Sequence, residues 1–415
     1  MLTIKKLYAN KNIFMVFWLG FMSGLPLLLT SSTLSIWLAE NGITKAAIGA
    51  FALVGIPYNL KFLWAPLFDY IPIPLLTSWL GRRRSYLVVT QTGLFLALLA
   101  LALTNAQDNI LLVAILAVCV SFFSASQDIV IDAYRVEILE KEYHGAGAAT
   151  IVFGYRLGML VAGAGALYLA SDVSWTSVYF IMASIVFIGI IFSLFVCEPS
   201  RSNGVTSSQK NHILKPFYNF IARKNWLIIF LLIILYKLGD AFLTTMSNIF
   251  FLELGYSKAE IASITKVFGL IATLSGGFVA GLMTSRFGLL RTMLAAGIIH
   301  SVANLIFIAQ SYIGYNPDFL MFTIAAENIT AGMTAVALVA YISSLCTSTH
   351  TAADYAFLSS IAVLGRTILT SVSGALASTA GWPLYFLLTT LMMLPALLII
   401  WWLDAKFYQE NLIQE

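Results

Sequence analysis

Apolar residues run in long stretches separated by short clusters of charged residues, Asn, Pro and Gly, and this alternation defines the elements. An α-helix rises about 1.5 Å per residue, so roughly 20 apolar residues cross a bilayer's hydrocarbon core. Dividing the chain at its polar clusters predicts twelve membrane-spanning helices over residues 12–39, 46–69, 84–105, 110–137, 146–170, 175–197, 225–252, 259–284, 289–311, 318–346, 351–378 and 382–404. One long polar stretch interrupts them, from Glu198 to Asn225, and its Ser, Asn, Gly and Lys content reads as a linker. The predicted organisation is a six-helix bundle over 1–197, a linker over 198–224 and a second six-helix bundle over 225–415. The other loops are too short for an extramembrane domain. Lys5, Lys6 and Lys11 ahead of the first apolar stretch resemble a signal peptide, but the apolar pattern continues to Leu38 with no clean small-residue cleavage site, so a retained first helix is expected.

Composition removes the globular alternative. Only 10% of the 415 residues are charged and 60% are hydrophobic, with mean hydropathy +0.89, whereas soluble domains carry about 25% charged residues. A net charge of +4 would elsewhere invite a nucleic-acid reading. Here the cations sit in short loops, where they report orientation instead. With both termini in the cytoplasm, Lys5, Lys6, Lys11, Arg82, Arg83, Arg84, Lys141, Arg201, Lys210, Lys215, Arg223, Lys224, Arg286, Arg291 and Lys406 fall inside and only Lys45 and Lys258 outside. This asymmetry also requires an even number of spans. Cys119, Cys197 and Cys346 lack paired spacing, so neither a disulfide framework, a metal site nor a cofactor is indicated.

The halves repeat one another. Trp37-Leu-Ala-Glu-Asn-Gly-Ile-Thr-Lys-Ala-Ala-Ile-Gly49 aligns without a gap on Phe250-Phe-Leu-Glu-Leu-Gly-Tyr-Ser-Lys-Ala-Glu-Ile-Ala262, each opening the turn between the first two helices of its half. Gly154-Tyr-Arg156 in span five has a counterpart in Gly365-Arg366 of span eleven. Duplicated six-helix halves joined by a cytoplasmic linker resemble the major facilitator architecture, in which cargo binds near mid-membrane between two rocking bundles. The expected fold class is therefore an all-α membrane protein with twelve transmembrane helices in two pseudo-symmetric bundles.

Ionisable groups inside the spans point to transport, because a charge in hydrocarbon is costly and faces protein or a water-filled path. In span four Asp128 and Asp132 lie one helical turn apart and share a face, with Arg135 and Glu137 beyond them. By residue count Arg156 of span five reaches about the same depth as Asp128. Asp128 and Asp132 are candidate proton carriers; the competing reading is a permanent ion pair that locks spans four and five. Glu327 and Asp240 are the second half's proton candidates. Gln127, Tyr155, Arg156, Lys237, Asn328 and Arg366 are candidate cargo ligands. Lys237 and Asp240, three residues apart, can instead satisfy each other. His300 fits either proton transfer or packing, and Lys61 and Lys266 are placed to snorkel. Gly24-Leu-Pro26 softens span one.

The turn after span two holds Asp69 and Gly81-Arg-Arg-Arg84, mirrored by Gly281-Leu-Met-Thr-Ser-Arg286-Phe-Gly288-Leu-Leu-Arg291. It resembles the facilitator loop in which an acid and basic residues latch neighbouring helices, which makes Asp69, Arg82, Arg83, Arg84, Arg286 and Arg291 the candidate gating loops. The first copy departs from that pattern by the insertion Tyr70 to Leu80. Simple enforcement of topology by the arginines is the other reading.

Four stretches carry a closer resemblance: Ser23-Gly-Leu-Pro-Leu-Leu-Leu29, Lys61-Phe-Leu-Trp-Ala-Pro-Leu-Phe-Asp69, Gly81-Arg-Arg-Arg-Ser-Tyr86 and Ser126-Gln-Asp-Ile-Val-Ile-Asp-Ala-Tyr-Arg135. In them the first 160 residues resemble the AmpG muropeptide permease family, and the second half resembles it mainly in architecture. The span-two and span-four signatures also resemble the related acetyl-coenzyme A transporters. The resemblance implies import of N-acetylglucosaminyl-1,6-anhydro-N-acetylmuramyl peptides across a Gram-negative inner membrane, driven by protons. It also implies cell-wall recycling and, in some relatives, signalling to β-lactamase induction. Gln127 and Asp128 carry over from it; Arg156 rests on depth. The expected partners are the small-molecule cargo, protons and the lipid bilayer, with no nucleic acid, and the chain is expected to be a monomer. A carrier of another anionic metabolite, such as acetyl-coenzyme A or a nucleotide, would show the same charges. An enzyme would gather His and acids beside a substantial loop, and a channel would not need two duplicated bundles.

Overall fold

In the computed structural model the described residues are 10–199, 218, 220–222, 225–347 and 350–414. Among them, eleven helical segments are long and apolar enough to cross a membrane: Lys11–Glu40, Arg82–Ala102, Ile110–Ile138, His144–Ala170, Trp175–Phe195, Trp226–Glu253, Ser263–Phe287, Leu289–Ile313, Pro317–Leu345, Thr351–Ala380 and Trp382–Ala405. These are spans one and three to twelve. Span two is helical only in pieces, Lys45–Ala50, Phe51–Gly55, Ile56–Leu60, Lys61–Leu63 and Leu67–Tyr70. Pro57 and Pro66 each lack an N–H and Gly49 and Gly55 weaken the helix ahead of them, so a stretch continuous in hydropathy is discontinuous in backbone.

The pieces of span two pack between span four and span eleven, and span five packs against spans eight and ten, so these contacts join the two halves. Small residues fill the second junction: Ala148, Ala149, Ala280, Ala296 and Ala340 share a core with Met333 and Val336. Phe153 meets Phe278 with ring centroids 5.3 Å apart.

The sequence repeat reappears as a repeated clamp. Trp175 Nε1 donates to Glu40 Oε2 at 2.7 Å, and Trp382 Nε1 donates to Glu253 Oε2 at 2.7 Å. Beneath each clamp a tyrosine hydroxyl donates to a carbonyl of the half's first span, Tyr179 to Leu29 at 3.0 Å and Tyr385 to Phe242 at 2.6 Å. Trp37 against Tyr179 and Phe250 against Phe386 complete the parallel, with centroids 5.2 and 4.8 Å apart. In each half the end of the first helix is thereby fixed to the start of the sixth.

Candidate functional site

Span one carries Pro26 inside the helix Lys11–Leu29. Proline has no N–H, so the carbonyl four residues earlier, that of Met22, loses its helical partner. Gln127 of span four restores it: Nε2 donates to Met22 O at 2.9 Å. The neighbouring Asp128 accepts from Ser23 Oγ at 2.5 Å. Both side chains are buried, Gln127 fully and Asp128 at 8% exposure. Span one is therefore softened by Pro26 and then tied to span four by Gln127 and Asp128.

This corrects the depth-based pairing of Asp128 with Arg156. Residue count gives height in the membrane, whereas the partner depends on which way the helix face turns. Arg156 makes no ion pair among the described residues; its charge is felt by Glu327 of span ten, across the junction between the halves. Lys61 does not snorkel freely either: its Nζ is 3.9 Å from Asp132 Oδ2, and Asp132 Oδ1 lies 3.7 Å from Arg135 Nη2. The guanidinium of Arg135 in turn stacks over Tyr355 of span eleven, 5.3 Å from the ring centroid. Tyr155 is half-buried beside Arg156, and its backbone carbonyl lies against Gly24 of span one.

In the second half, Glu327 accepts from Asn328 Nδ2 at 2.6 Å, and Asn328 Oδ1 accepts from Thr273 of span eight at 2.8 Å. Arg366 donates through Nε to its own helix at Ala362 O, 2.7 Å away. Lys237 and Asp240 do satisfy each other, 2.7 Å apart. The side chain of Lys266 lies outside the described residues.

At the arginine-bearing end the charges of the first loop converge. Arg83, 1% exposed, reaches Asp69 Oδ1 at 2.8 Å and also binds Glu137 of span four. Arg82 donates to Asp69 O at 2.7 Å. Asp69 then crosses to the other half, accepting from the backbone N–H of Ala353 at 2.9 Å and of Ala352 at 3.4 Å, at the N-terminus of span eleven. A helix N-terminus carries unpaired N–H groups and positive potential, so a buried carboxylate is well matched to it. Tyr70, first residue of the insertion, makes a 3.1 Å contact from Oη to His350 Nδ1. Glu198, at the start of the expected linker, accepts from Arg83 N at 2.9 Å and Arg84 N at 3.0 Å, capping span three. Glu198 and His350 were not singled out from the sequence, because a cap or contact made by a residue remote in the chain leaves no local spacing to read. Arg84 binds the Leu194 carbonyl. Among the described residues the second copy of the loop builds no such junction: Arg286 lies over Phe287, 5.4 Å from the ring centroid, and the exposed Arg291 lies 3.5 Å from Asp404.

The family model of the Major Facilitator Superfamily matches residues 16–273 and 229–412. A relative from Rickettsia conorii called "Putative transporter AmpG 4" is 38% identical over 97% of this chain and 99% of its own length. The "Anhydromuropeptide permease" of Escherichia coli (strain K12) is 37% identical over 92% of this chain and 77% of its own. Among solved structures, that of the proton:xylose symporter XylE superposes with a TM-score of 0.70 at 12% identity, covering 94% of each chain, a likeness of fold alone. A multi-pass chain built as two pseudo-symmetric bundles and this similar along its length to transporters belongs to the AmpG family of the major facilitator superfamily, and it is a transporter of a small molecule, not an enzyme.

Proposed function

We propose that this chain imports anhydro-muropeptides across the bacterial inner membrane in symport with protons, feeding cell-wall recycling, with both termini in the cytoplasm and a monomer as the working unit. Its similarity to the Escherichia coli permease over 92% of the chain is the observation that carries this reading. Residues 1–197 and 225–415 act as the two rocking bundles and 198–224 as the linker. The chemistry of the interior supports the cargo class. A muropeptide offers carboxylates, acetamides and sugar hydroxyls, and Arg156, Arg366, Asn328 and Tyr155 are half-buried side chains able to bind them. The buried carboxylates Asp128 and Glu327 act as proton carriers, since an ionisable group inside a span marks a proton or solute path.

The arginine-bearing end is the cytoplasmic side by the distribution of basic residues. The junction of Asp69, Arg83, Glu137 and the start of span eleven acts as a latch that holds the cytoplasmic side shut, and opening inward requires Asp69 to leave the N-terminus of span eleven. Proteoliposomes containing the purified protein, loaded with labelled anhydro-muropeptide outside under an imposed inward proton gradient, test the reading. Uptake above the level without a gradient, abolished uphill by Asp128→Asn while counterflow persists, is expected. Gradient-driven uptake of acetyl-coenzyme A in preference to the muropeptide would replace the cargo; unchanged uphill uptake by Asp128→Asn would remove Asp128 from the coupling.

A further inference from the structure

Span seven is broken in mid-membrane where no proline explains it. The helix Trp226–Leu235 stops, and Leu238–Glu253 starts after Lys237, whose backbone has φ −117° and ψ 11°. Interrupted helices at mid-membrane are where transporters place ligand and coupling groups. Lys237 is buried at 6% exposure, with Nζ 2.7 Å from Asp240 Oδ2 and 3.1 Å from Thr334 Oγ1 of span ten.

His300 of span nine, 1% exposed, completes the group. Its Nδ1 is 2.8 Å from Thr330 Oγ1. That hydroxyl also contacts the carbonyls of Ala326 at 2.8 Å and Glu327 at 2.9 Å, and in the tautomer where its hydrogen turns to one of them Nδ1 carries the ring proton and donates. In that tautomer Nε2 is a bare lone pair. It stands 3.6 Å from Asp240 Oδ1, too far for a hydrogen bond, and has no hydrogen-bond partner among the described residues. The remaining charges felt here are Arg366 of span eleven at Asp240, and Glu327 of span ten, itself within the field of Arg156.

We propose that Lys237 is the ligand for a carboxylate of the cargo, and that Asp240 with His300 is the counter-ion which the cargo displaces and a single proton then neutralises. As it stands, Lys237 and Asp240 form a buried neutral pair. A cargo carboxylate that takes Lys237 leaves Asp240 as an uncompensated buried anion, which is strongly unfavourable. A proton from water on the open side, bound at His300 Nε2, removes that imbalance by making an imidazolium hydrogen-bonded to Asp240. After the bundles rock, the cargo leaves, Lys237 returns to Asp240 and Nε2 gives its proton to the opposite side. Anion and proton therefore travel together, and neither is readily carried alone.

This inference rests on the muropeptide reading, because it needs a cargo with a carboxylate. The test compares proteoliposome uptake of anhydro-muropeptide with uptake of the same compound after amidation of its carboxylates. Wild-type protein is expected to favour the free acid by about tenfold, the scale of one buried charge-assisted hydrogen bond. Lys237→Gln is expected to bring that ratio near one. His300→Gln is expected to keep counterflow of the free acid while lowering its pH-driven accumulation, the protons carried at Asp128 and Glu327 remaining. Lys237→Gln/Asp240→Asn keeps the neutral shape of the pair, and is expected to restore thermal stability in detergent without restoring the preference. The inference falls if Lys237→Gln slows both cargoes equally, or if the double variant recovers wild-type preference along with stability. A wild-type protein that takes up neither compound overturns the muropeptide reading and this inference together, whereas the two preceding outcomes leave that reading intact.

Discussion

The two halves descend from one pattern, yet each is knit together at a different place. In the first half, spans one and five touch backbone to backbone: a Cβ on Gly24 would lie 2.0 Å from Tyr155 O, and one on Gly158 2.2 Å from Phe21 O. In the second half, the equivalent spans seven and eleven meet through side chains, Gly365 facing the side chain of Ile234. There the backbone contact has moved to spans eight and ten, where a Cβ on Gly276 would lie 1.8 Å from Ile329 O and one on Gly332 2.0 Å from Thr273 O. Span two, the first-half equivalent of span eight, is the segmented one. The charged loop is likewise one-sided, built into a buried junction after span two and left at the surface after span eight. A duplicated fold has thus kept its end clamps in both copies while dividing its tight packing and its latch unequally.

The largest expected effect tests the one-sided loop. Arg83→Met leaves the buried Asp69 and the half-buried Glu137 without their shared cation, and breaking a buried pair costs about 3–5 kcal/mol. A large fall in melting temperature in detergent micelles is expected. Arg291→Met removes only an exposed pair, for which about 0–1 kcal/mol is typical. Equal losses in the two variants would erase the asymmetry.

Next in size is the asymmetry of the glycine contacts. Gly24→Ala forces spans one and five apart, because the atom in its way is a backbone carbonyl that has nowhere to turn. Overpacking of this kind costs about 1–3 kcal/mol. Gly365→Ala meets the side chain of Ile234 rather than a backbone carbonyl, so a small shift of that side chain relieves it and its melting temperature should fall less than that of Gly24→Ala. A Gly365→Ala loss matching that of Gly24→Ala would show that spans seven and eleven are as closely fitted as one and five.

How much of this could be read from the chain differs by kind of interaction. Hydropathy carries eleven of the spans, since burial in lipid is written residue by residue, and the repeat around Glu40 and Glu253 is visible as sequence identity. The break at Lys237 is not, because no proline marks it and a single Gly239 inside an apolar run does not by itself signal an interruption. The Asp128 partner was missed for a geometric reason: spacing along a helix fixes height, but the choice between Ser23 and Arg156 depends on how two helices are rotated against each other. Glu198 belongs to the same class, a residue in a polar stretch whose target lies over a hundred positions away. By contrast, the Lys237–Asp240 contact was legible, as three-residue spacing on one helix brings the partners together without tertiary information.

A smaller effect probes the softened first span, which has no proline counterpart in span seven. Gln127→Leu leaves the Met22 carbonyl buried and unpaired, at about 1–3 kcal/mol. Pro26→Ala returns an N–H at the position that should have bonded Met22 O. The double variant should therefore be more stable than the sum of the single effects allows, measured as a coupling of about 1 kcal/mol or more. Strict additivity would mean that Gln127 packs beside span one without satisfying it.

The smallest effect concerns the feature shared by both halves. Trp175→Phe and Trp382→Phe each delete one hydrogen bond to an exposed carboxylate, Glu40 or Glu253, and each should lose about 0.5–1 kcal/mol, since the same donor and acceptor stand 2.7 Å apart in both. Truncation to alanine should separate them. Trp382 lies against Phe250 and stacks on Phe386, with centroids 5.1 and 5.8 Å away, whereas Trp175 has Tyr179 at 6.5 Å. Aromatic pairs add about 0.5–1.5 kcal/mol beyond the area they bury, so Trp382→Ala should fall further in melting temperature than Trp175→Ala. Equal phenylalanine variants with unequal alanine variants would mean that duplication preserved the polar clamp while the apolar bed beneath it diverged. Unequal phenylalanine variants would mean that the two clamps, alike in geometry, hold their halves with different strength.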